Sequence, residues 1–197
     1  IDGDHIMAIA AVDLAHRGLL RNKGVAVTVM TNLGFHHTMR DNNIDVVITP
    51  VGDRSILVAL DEFDFVLGGE QSGHVIHRAH ATTGDGLLAA LQLVEYITRA
   101  RVTLDQAASI MHSYPQILVN IRTLNRVHDP VHDIADQIAI AEAELGDNGR
   151  ILVRSSGTEP LVRVMVEAAD QVSAESIAMR LAQAVVDIHG GSIEGTH

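Results

Sequence analysis

Between Ile6 and Val94 the chain switches repeatedly between helical and extended hydrophobic periods, and this alternation restricts the fold to sheets covered by helices. Ile6, Met7, Ile9, Ala10 and Leu14 can share one broad apolar helical face, with Asp4 placed to cap the helix. Gly18 and Gly24 close that segment, and Val25-Ala26-Val27-Thr28-Val29 follows as a β-branched run of strand length. A short helix over 33–42, a strand over 46–49 and a helix over 56–62 continue the pattern. A third strand, 65–67, runs directly into Gly68-Gly69, and Val75-Ile76 sits on the return side of the loop. Leu87, Leu88, Leu91 and Val94 then mark a long amphipathic helix that begins near Asp85. Residues 1–113 therefore predict a three-layer α/β domain with ligand loops at its strand ends.

A new pattern starts at Tyr114-Pro115, where the residue before proline disfavours helix. Ile117, Val119 and Ile121 alternate with Leu118, Asn120 and Arg122, which predicts a strand. A polar stretch over 125–133 leads to a helix over 134–145 that stops near Gly146 and Gly149. Two strands follow, and a last helix over 174–189 carries Ile177, Leu181, Val185 and Ile188 on one side before Gly190-Gly191. The order β-α-β-β-α over 114–197 predicts a small α+β domain with its helices on one sheet face. No internal repeat or low-complexity segment interrupts either part.

The two adjacent strands of this second domain flank Arg154-Ser155-Ser156-Gly157-Thr158-Glu159-Pro160. On one side Ile151 and Val153 share a face; on the other Val162, Val164, Val166 and Ala168 alternate with Arg163, Met165 and Glu167. A bound phosphate needs a fixed positive charge, short hydroxyl donors and bare backbone N–H groups. Arg154, the hydroxyls of Ser155, Ser156 and Thr158, and Gly157 supply all three. Arg163, one step into the next strand, offers a second cation.

Composition narrows the partners. Hydrophobic residues make up 47% of the chain and charged residues 20%, so it is globular, and 3% aromatics without tryptophan leave a mainly aliphatic core. A formal net charge of -11 disfavours nucleic acid and anionic membranes as partners, so an anionic ligand must be captured by local positive groups. The absence of cysteine excludes disulfides and thiol catalysis. With no membrane-length apolar run and no signal-peptide pattern, a cytoplasmic location is the expectation.

The stretch from Arg154 to Glu167 resembles the C-terminal phosphate-binding loop of the α-D-phosphohexomutases. Far upstream, Gly69-Glu70-Gln71-Ser72-Gly73-His74 resembles the same family's sugar-binding loop. Val51-Gly52-Asp53-Arg54, Thr82-Thr83-Gly84-Asp85-Gly86 and Pro115-Gln116-Ile117-Leu118-Val119-Asn120 are also similar to family segments, in the same order. By residue type alone, 68–74 is a glycine-rich turn whose Glu70 carboxylate and Ser72 hydroxyl suit adjacent sugar hydroxyls but could equally be solvated. The resemblance implies Glu70 and Ser72 as sugar contacts, with Gly69 and His74 beside them. For Val51-Gly52-Asp53-Arg54 two readings stand: Asp53 caps the following helix with Arg54 solvated, or Arg54 reaches an active site.

Two metal readings are weighed and set aside. His74, His77 and His80 are spaced three apart, but only a regular helix would align them, and this stretch is strand and loop. Asp2-Gly3-Asp4 begins like the family's magnesium loop, Asp-Gly-Asp-x-Asp-Arg, yet continues His5-Ile6-Met7. The resemblance places these residues just downstream of that loop, so no metal ligand is assigned.

The matched segments correspond to the third and fourth of the family's four domains. The resemblance implies phosphoserine-dependent interconversion of glucosamine 6-phosphate and glucosamine 1-phosphate through a bisphosphorylated sugar, with Mg²⁺ at the reacting phosphoryl group. The catalytic serine and the Mg²⁺ ligands belong to N-terminal domains absent from this chain. No catalytic residue is therefore assigned here, and the chain is expected to bind sugar phosphate without catalysing alone. The alternatives are a mannose or glucose phosphate mutase of the same family, or a non-catalytic sugar-phosphate-binding module.

Overall fold

A computed structural model describes residues 1–196, which divide into two compact units, Ile1–Ser113 and a second from Tyr114 onward. In the first unit, strands β1 (Gly24–Thr28), β2 (Asp45–Thr49), β3 (Leu67–Gly69) and β4 (Val75–His77) form one sheet in the order β2-β1-β3-β4. β1 runs parallel to both β2 and β3, while β4 returns antiparallel to β3. Alternation along β1 divides the core. Val25 and Val27 pack with Met7, Ala8, Ala11, Phe35 and Met39 from α1 (Gly3–His16) and α2 (Leu33–Asp41). Ala26 faces the opposite layer, with Ile56, Ala59 and Leu60 of α3 (Asp53–Glu62). This is an α/β unit with helices on both sheet faces, and its three parallel strands end on one side.

Three local expectations are corrected here. Asp4 is not the N-cap of α1: Asp2 caps it by accepting from the His5 N–H at 3.1 Å, and Asp4 lies inside the first turn, fully buried. The Asp4 carboxylate accepts instead from the Asn32 N–H at 2.8 Å, and Asn32 in turn caps α2. A buried carboxylate finds such a partner only through the tertiary fold. Helix α4 (Gly86–Ala100) starts at the Asp85 cap, but Leu87, Leu91 and Val94 are exposed, and Ala89 is the residue it buries. The stretch 65–67 pairs two residues later than expected, since β3 includes both glycines. α5 (Leu104–Ala108) follows, closed by a reciprocal capping box between Thr103 and Gln106.

The second unit is an antiparallel sheet, β6-β7-β5-β8, built from β5 (Gln116–Arg122), β6 (Arg150–Ser155), β7 (Leu161–Glu167) and β8 (Ser192–Thr196). Strand β8 extends the expected β-α-β-β-α order: after Gly190-Gly191 the chain turns back to pair with β5. One sheet face, with Val119, Ile121, Val153, Val162, Val164 and Val166, packs on α8 (Gln171–His189) and α7 (Ala135–Leu145). A short helix α6 (Pro130–Asp133) precedes α7. α8 buries Ile177, Leu181 and Val185 among its inward residues, and each such aliphatic side chain contributes about 1.5–3 kcal/mol. No described helix is long and apolar enough to cross a membrane.

Candidate functional site

In the first unit the chain leaves β1, β2 and β3 on the same side of the sheet, the edge where parallel α/β sheets present ligand groups. A cavity of about 570 Å³ opens there, bordered by Thr28 at the end of β1, Met30 beyond it, Val51 after β2, Glu70, Gln71 and Ser72 after β3, and Asp2. Glu70 and Ser72 thus reach one cavity from a tight turn rather than an extended segment: the Gly73 N–H donates to the Glu70 carbonyl at 3.0 Å, and the Glu70 N–H to the His74 carbonyl at 3.1 Å. Glu70 is held from below, because its Oε1 accepts from the Gly52 N–H at 3.0 Å. Asp2 is held too. Burial opposes ionisation of its carboxyl, but hydrogen bonds from the His5 side chain and backbone outweigh that and keep it below the usual carboxylate range.

The turn rests on the start of α1. The Gly3 N–H donates to the Gln71 carbonyl at 3.0 Å, and a Cβ on Gly3 would lie 2.2 Å from the Glu70 carbonyl oxygen. Only glycine allows that backbone approach. Gly69 is buried at the end of β3, and His74 is half-buried on the return arm, its ring against Gly84. Neither borders the cavity. Arg54 is exposed on the first turn of α3 and lies along a groove with Ile48, Pro50 and Val58. Asp53 Oδ1 accepts from the adjacent Arg54 N–H at 2.7 Å, and Gly52 occupies the cap position of α3.

His77 is buried on β4, where burial and then the neighbouring His80 push its imidazole below its ordinary value. Among the described residues no group of three or more His, Asp or Glu is arranged to hold a metal ion. Asp4 is fully buried on the Asn32 N–H while Asp2 borders the cavity, so the two carboxylates do not open onto one site of the kind the Mg²⁺ of the resemblance would need.

In the second unit the loop 156–160 joins β6 to β7. Register places Arg154 directly opposite Arg163, with Asn120 of β5 on the far side of Arg163. Like charges facing each other across a ladder repel. Among the described residues neither guanidinium has an acidic partner, and burial together with Arg163 lowers the Arg154 guanidinium from its usual value. The Ser155 hydroxyl donates to the Val127 carbonyl at 2.6 Å, so it anchors the loop rather than standing free. Ser156 Oγ accepts from the Thr158 and Glu159 N–H groups, both at a loose 3.4 Å. Gly157 is exposed, has no positive φ, and a Cβ there would meet nothing within 4 Å. Neither backbone strain nor packing requires glycine at this position.

Residue types alone do not mark four of the residues gathered here. Gly3 sits between two aspartates in a motif that resembles a metal loop; Thr28 and Met30 lie at and just beyond the end of a strand without polar patterning; Arg126, whose Nη2 donates to the Gly157 carbonyl, sits in an irregular polar stretch.

Two family profiles match in order: phosphoglucomutase/phosphomannomutase alpha/beta/alpha domain III over residues 2–114, and the phosphoglucomutase/phosphomannomutase C-terminal domain over 118–184. A phosphoglucosamine mutase of Frankia casuarinae is 52% identical over 186 residues, covering 94% of this chain and 41% of that protein. One from Clavibacter michiganensis is 50% identical over 190 residues, covering 95% of this chain and 43% of its own. The chain thus spans about two fifths of the relatives it matches. Among solved structures, an Aspergillus fumigatus N-acetylphosphoglucosamine mutase in complex with GlcNAc-6P and magnesium superposes with a TM-score of 0.76 at 22% identity, over 97% of this chain and 44% of that one. The ordered profiles and the shared fold lead to one assignment: the chain belongs to the phosphoglucomutase/phosphomannomutase family, the α-D-phosphohexomutases, and comprises its third and C-terminal domains.

Proposed function

We propose that this chain is the substrate-gripping C-terminal part of a phosphoglucosamine mutase, which interconverts glucosamine 6-phosphate and glucosamine 1-phosphate by transfer through a phosphoserine. The observation that carries the reading is the in-register pair Arg154 and Arg163, two cations with no acidic partner among the described residues, flanking a loop whose glycine the fold does not need. The pair is the local positive field that a chain of net charge -11 requires to hold a phosphate. Arg154, Arg163 and the N–H groups of Gly157, Thr158 and Glu159 bind the phosphate that is not reacting, aided by the Ser156 and Thr158 hydroxyls. Ser155 supports them by tying the loop down. Glu70 and Ser72 hold sugar hydroxyls, Gly69 and His74 shape their turn, and Arg54 stands outside this set.

A grip that reads only phosphate oxygens suits a reaction in which a bisphosphorylated sugar turns round, because either end can occupy it. The resemblance assigns the catalytic serine and the Mg²⁺ ligands to other domains of the family than the two matched here, so the isolated chain is expected to bind without turnover. The sugar assignment rests on the identity to phosphoglucosamine mutases. A coupled assay of the full-length protein with glucosamine, glucose and mannose 6-phosphates tests it. Preference for glucosamine is expected; equal or better turnover of mannose or glucose phosphate would move the chain to another branch of the family. Sugar-phosphate binding by a full-length protein without mutase activity would make it a binding module.

A further inference from the structure

The phosphate loop is fastened to the segment between β5 and α6 by three hydrogen bonds. The Thr123 N–H donates to the Pro160 carbonyl at 3.0 Å, and the Ser155 hydroxyl to the Val127 carbonyl at 2.6 Å. These two hold the feet of the loop. The third comes from Arg126, whose Nη2 donates to the Gly157 carbonyl at the crown. Arg126 is exposed, and an exposed contact of this kind adds little to folding. Its effect lies in what it does to the Gly157–Thr158 peptide.

We infer that Arg126 is a positioning residue for the phosphate site, fixing that peptide so that the Thr158 N–H faces the bound anion; the inference rests on the phosphate reading above. A trans peptide is planar, so its C=O and N–H point in opposite directions, and no cis bond occurs here. With the Gly157 oxygen drawn to Arg126, the Thr158 N–H is turned away from it, together with the Glu159 N–H, toward Ser156 Oγ. Both donors are held there only at 3.4 Å and are open to a stronger acceptor. A Cβ built on Gly157 would meet nothing within 4 Å, so packing on that side does not fix the peptide. The guanidinium also brings a third positive charge to the loop, beside Arg154 and Arg163.

The test is an NMR titration of the 197-residue chain with inorganic phosphate, comparing wild type, Arg126→Ala, Arg126→Lys and Arg154→Ala. For Arg126→Ala we expect roughly tenfold weaker phosphate binding, the size of a lost charge-assisted hydrogen bond. Its melting temperature should be unchanged, with displaced Thr158 and Glu159 amide resonances, and Arg126→Lys should recover part of the affinity through a single donor. Wild-type affinity in Arg126→Ala, with Arg154→Ala impaired, would overturn the inference and leave the phosphate reading intact. Loss of cooperative melting in Arg126→Ala would make Arg126 a folding residue and also overturn it. If wild type takes up no phosphate, the phosphate reading fails and this inference with it.

Discussion

Arg154 and Arg163 stand opposite one another on adjacent antiparallel strands, and no acidic group among the described residues lies between them to neutralise the pair. Such a pairing costs the unliganded sheet some stability, and an anion relieves it. Arg163→Gln is therefore expected to weaken sugar-phosphate binding by about tenfold, the size of a lost charge-assisted hydrogen bond. Its melting temperature should match or slightly exceed wild type. Calorimetric titration beside thermal melts measures both, and a variant that melts earlier would mean that Arg163 serves the fold.

Ligand should stabilise the second unit through the same pair. At a hundredfold excess over Kd, a phosphate that binds only the folded state adds about 2.7 kcal/mol. Thermal melts at rising phosphate should shift upward in wild type, and the shift should shrink with added sodium chloride as screening grows. A salt-independent shift would place the phosphate elsewhere.

Gly157→Ala separates binding from folding. A Cβ there meets nothing within 4 Å, so urea midpoints should stay at the wild-type value. The methyl group instead occupies the space in which a phosphate oxygen would approach, and affinity should fall. Unchanged phosphate affinity would mean that the ligand does not come close to the Gly157 Cα.

Gly3→Ala acts in the other unit. Its Cβ would lie 2.2 Å from the Glu70 carbonyl oxygen, so either the turn or α1 must shift. Overpacking of this kind costs about 1–3 kcal/mol. Amide resonances of 70–73 should move while phosphate affinity at 154–158 stays, a split that heteronuclear NMR would register directly.

His77 gives the first unit a pH dependence of known sign. Burial holds its folded pKa below the ordinary 6.5, so once pH falls below 6.5 the unfolded chain binds a proton that the folded one resists. Stability is fully present above 6.5 and declines as pH drops toward the lower folded value. Replacing His77 by Leu should flatten that part of the urea-midpoint profile. Replacing His80 should remove the smaller, electrostatic part of the lowering at His77.

Much of this was legible in the residues because local chemistry decided it. The Asp85 cap before α4 and the valine alternation of β7 follow from capping and from period two alone. What escaped depended on tertiary partners. Asp2 and Asp4 are both capping residues by type, and only the approach of the Asn32 N–H assigns Asp4 to the interior. Helix α4 offers apolar residues on more than one face, so periodicity could not tell that Ala89 is buried and Leu87 exposed. Strand β8 has too few β-branched residues to announce itself, and its pairing depends on the turn at Gly190-Gly191. In the loop at 154–160 the residue types were readable, but the division of labour was not: Ser155 anchors and Arg126 takes part only because the β5–α6 segment folds against the loop.

The contact between Gly3 and the turn at 70–73 also makes the Gly3 amide proton a built-in clock. It is bonded to the Gln71 carbonyl, and the methylene beside it is pressed on the Glu70 backbone, so the amide can exchange with solvent only when turn and helix part. Its exchange rate therefore reports how often the turn at 70–73 lifts from α1. A ligand gripped by Glu70 and Ser72 should slow it without touching Gly3 at all.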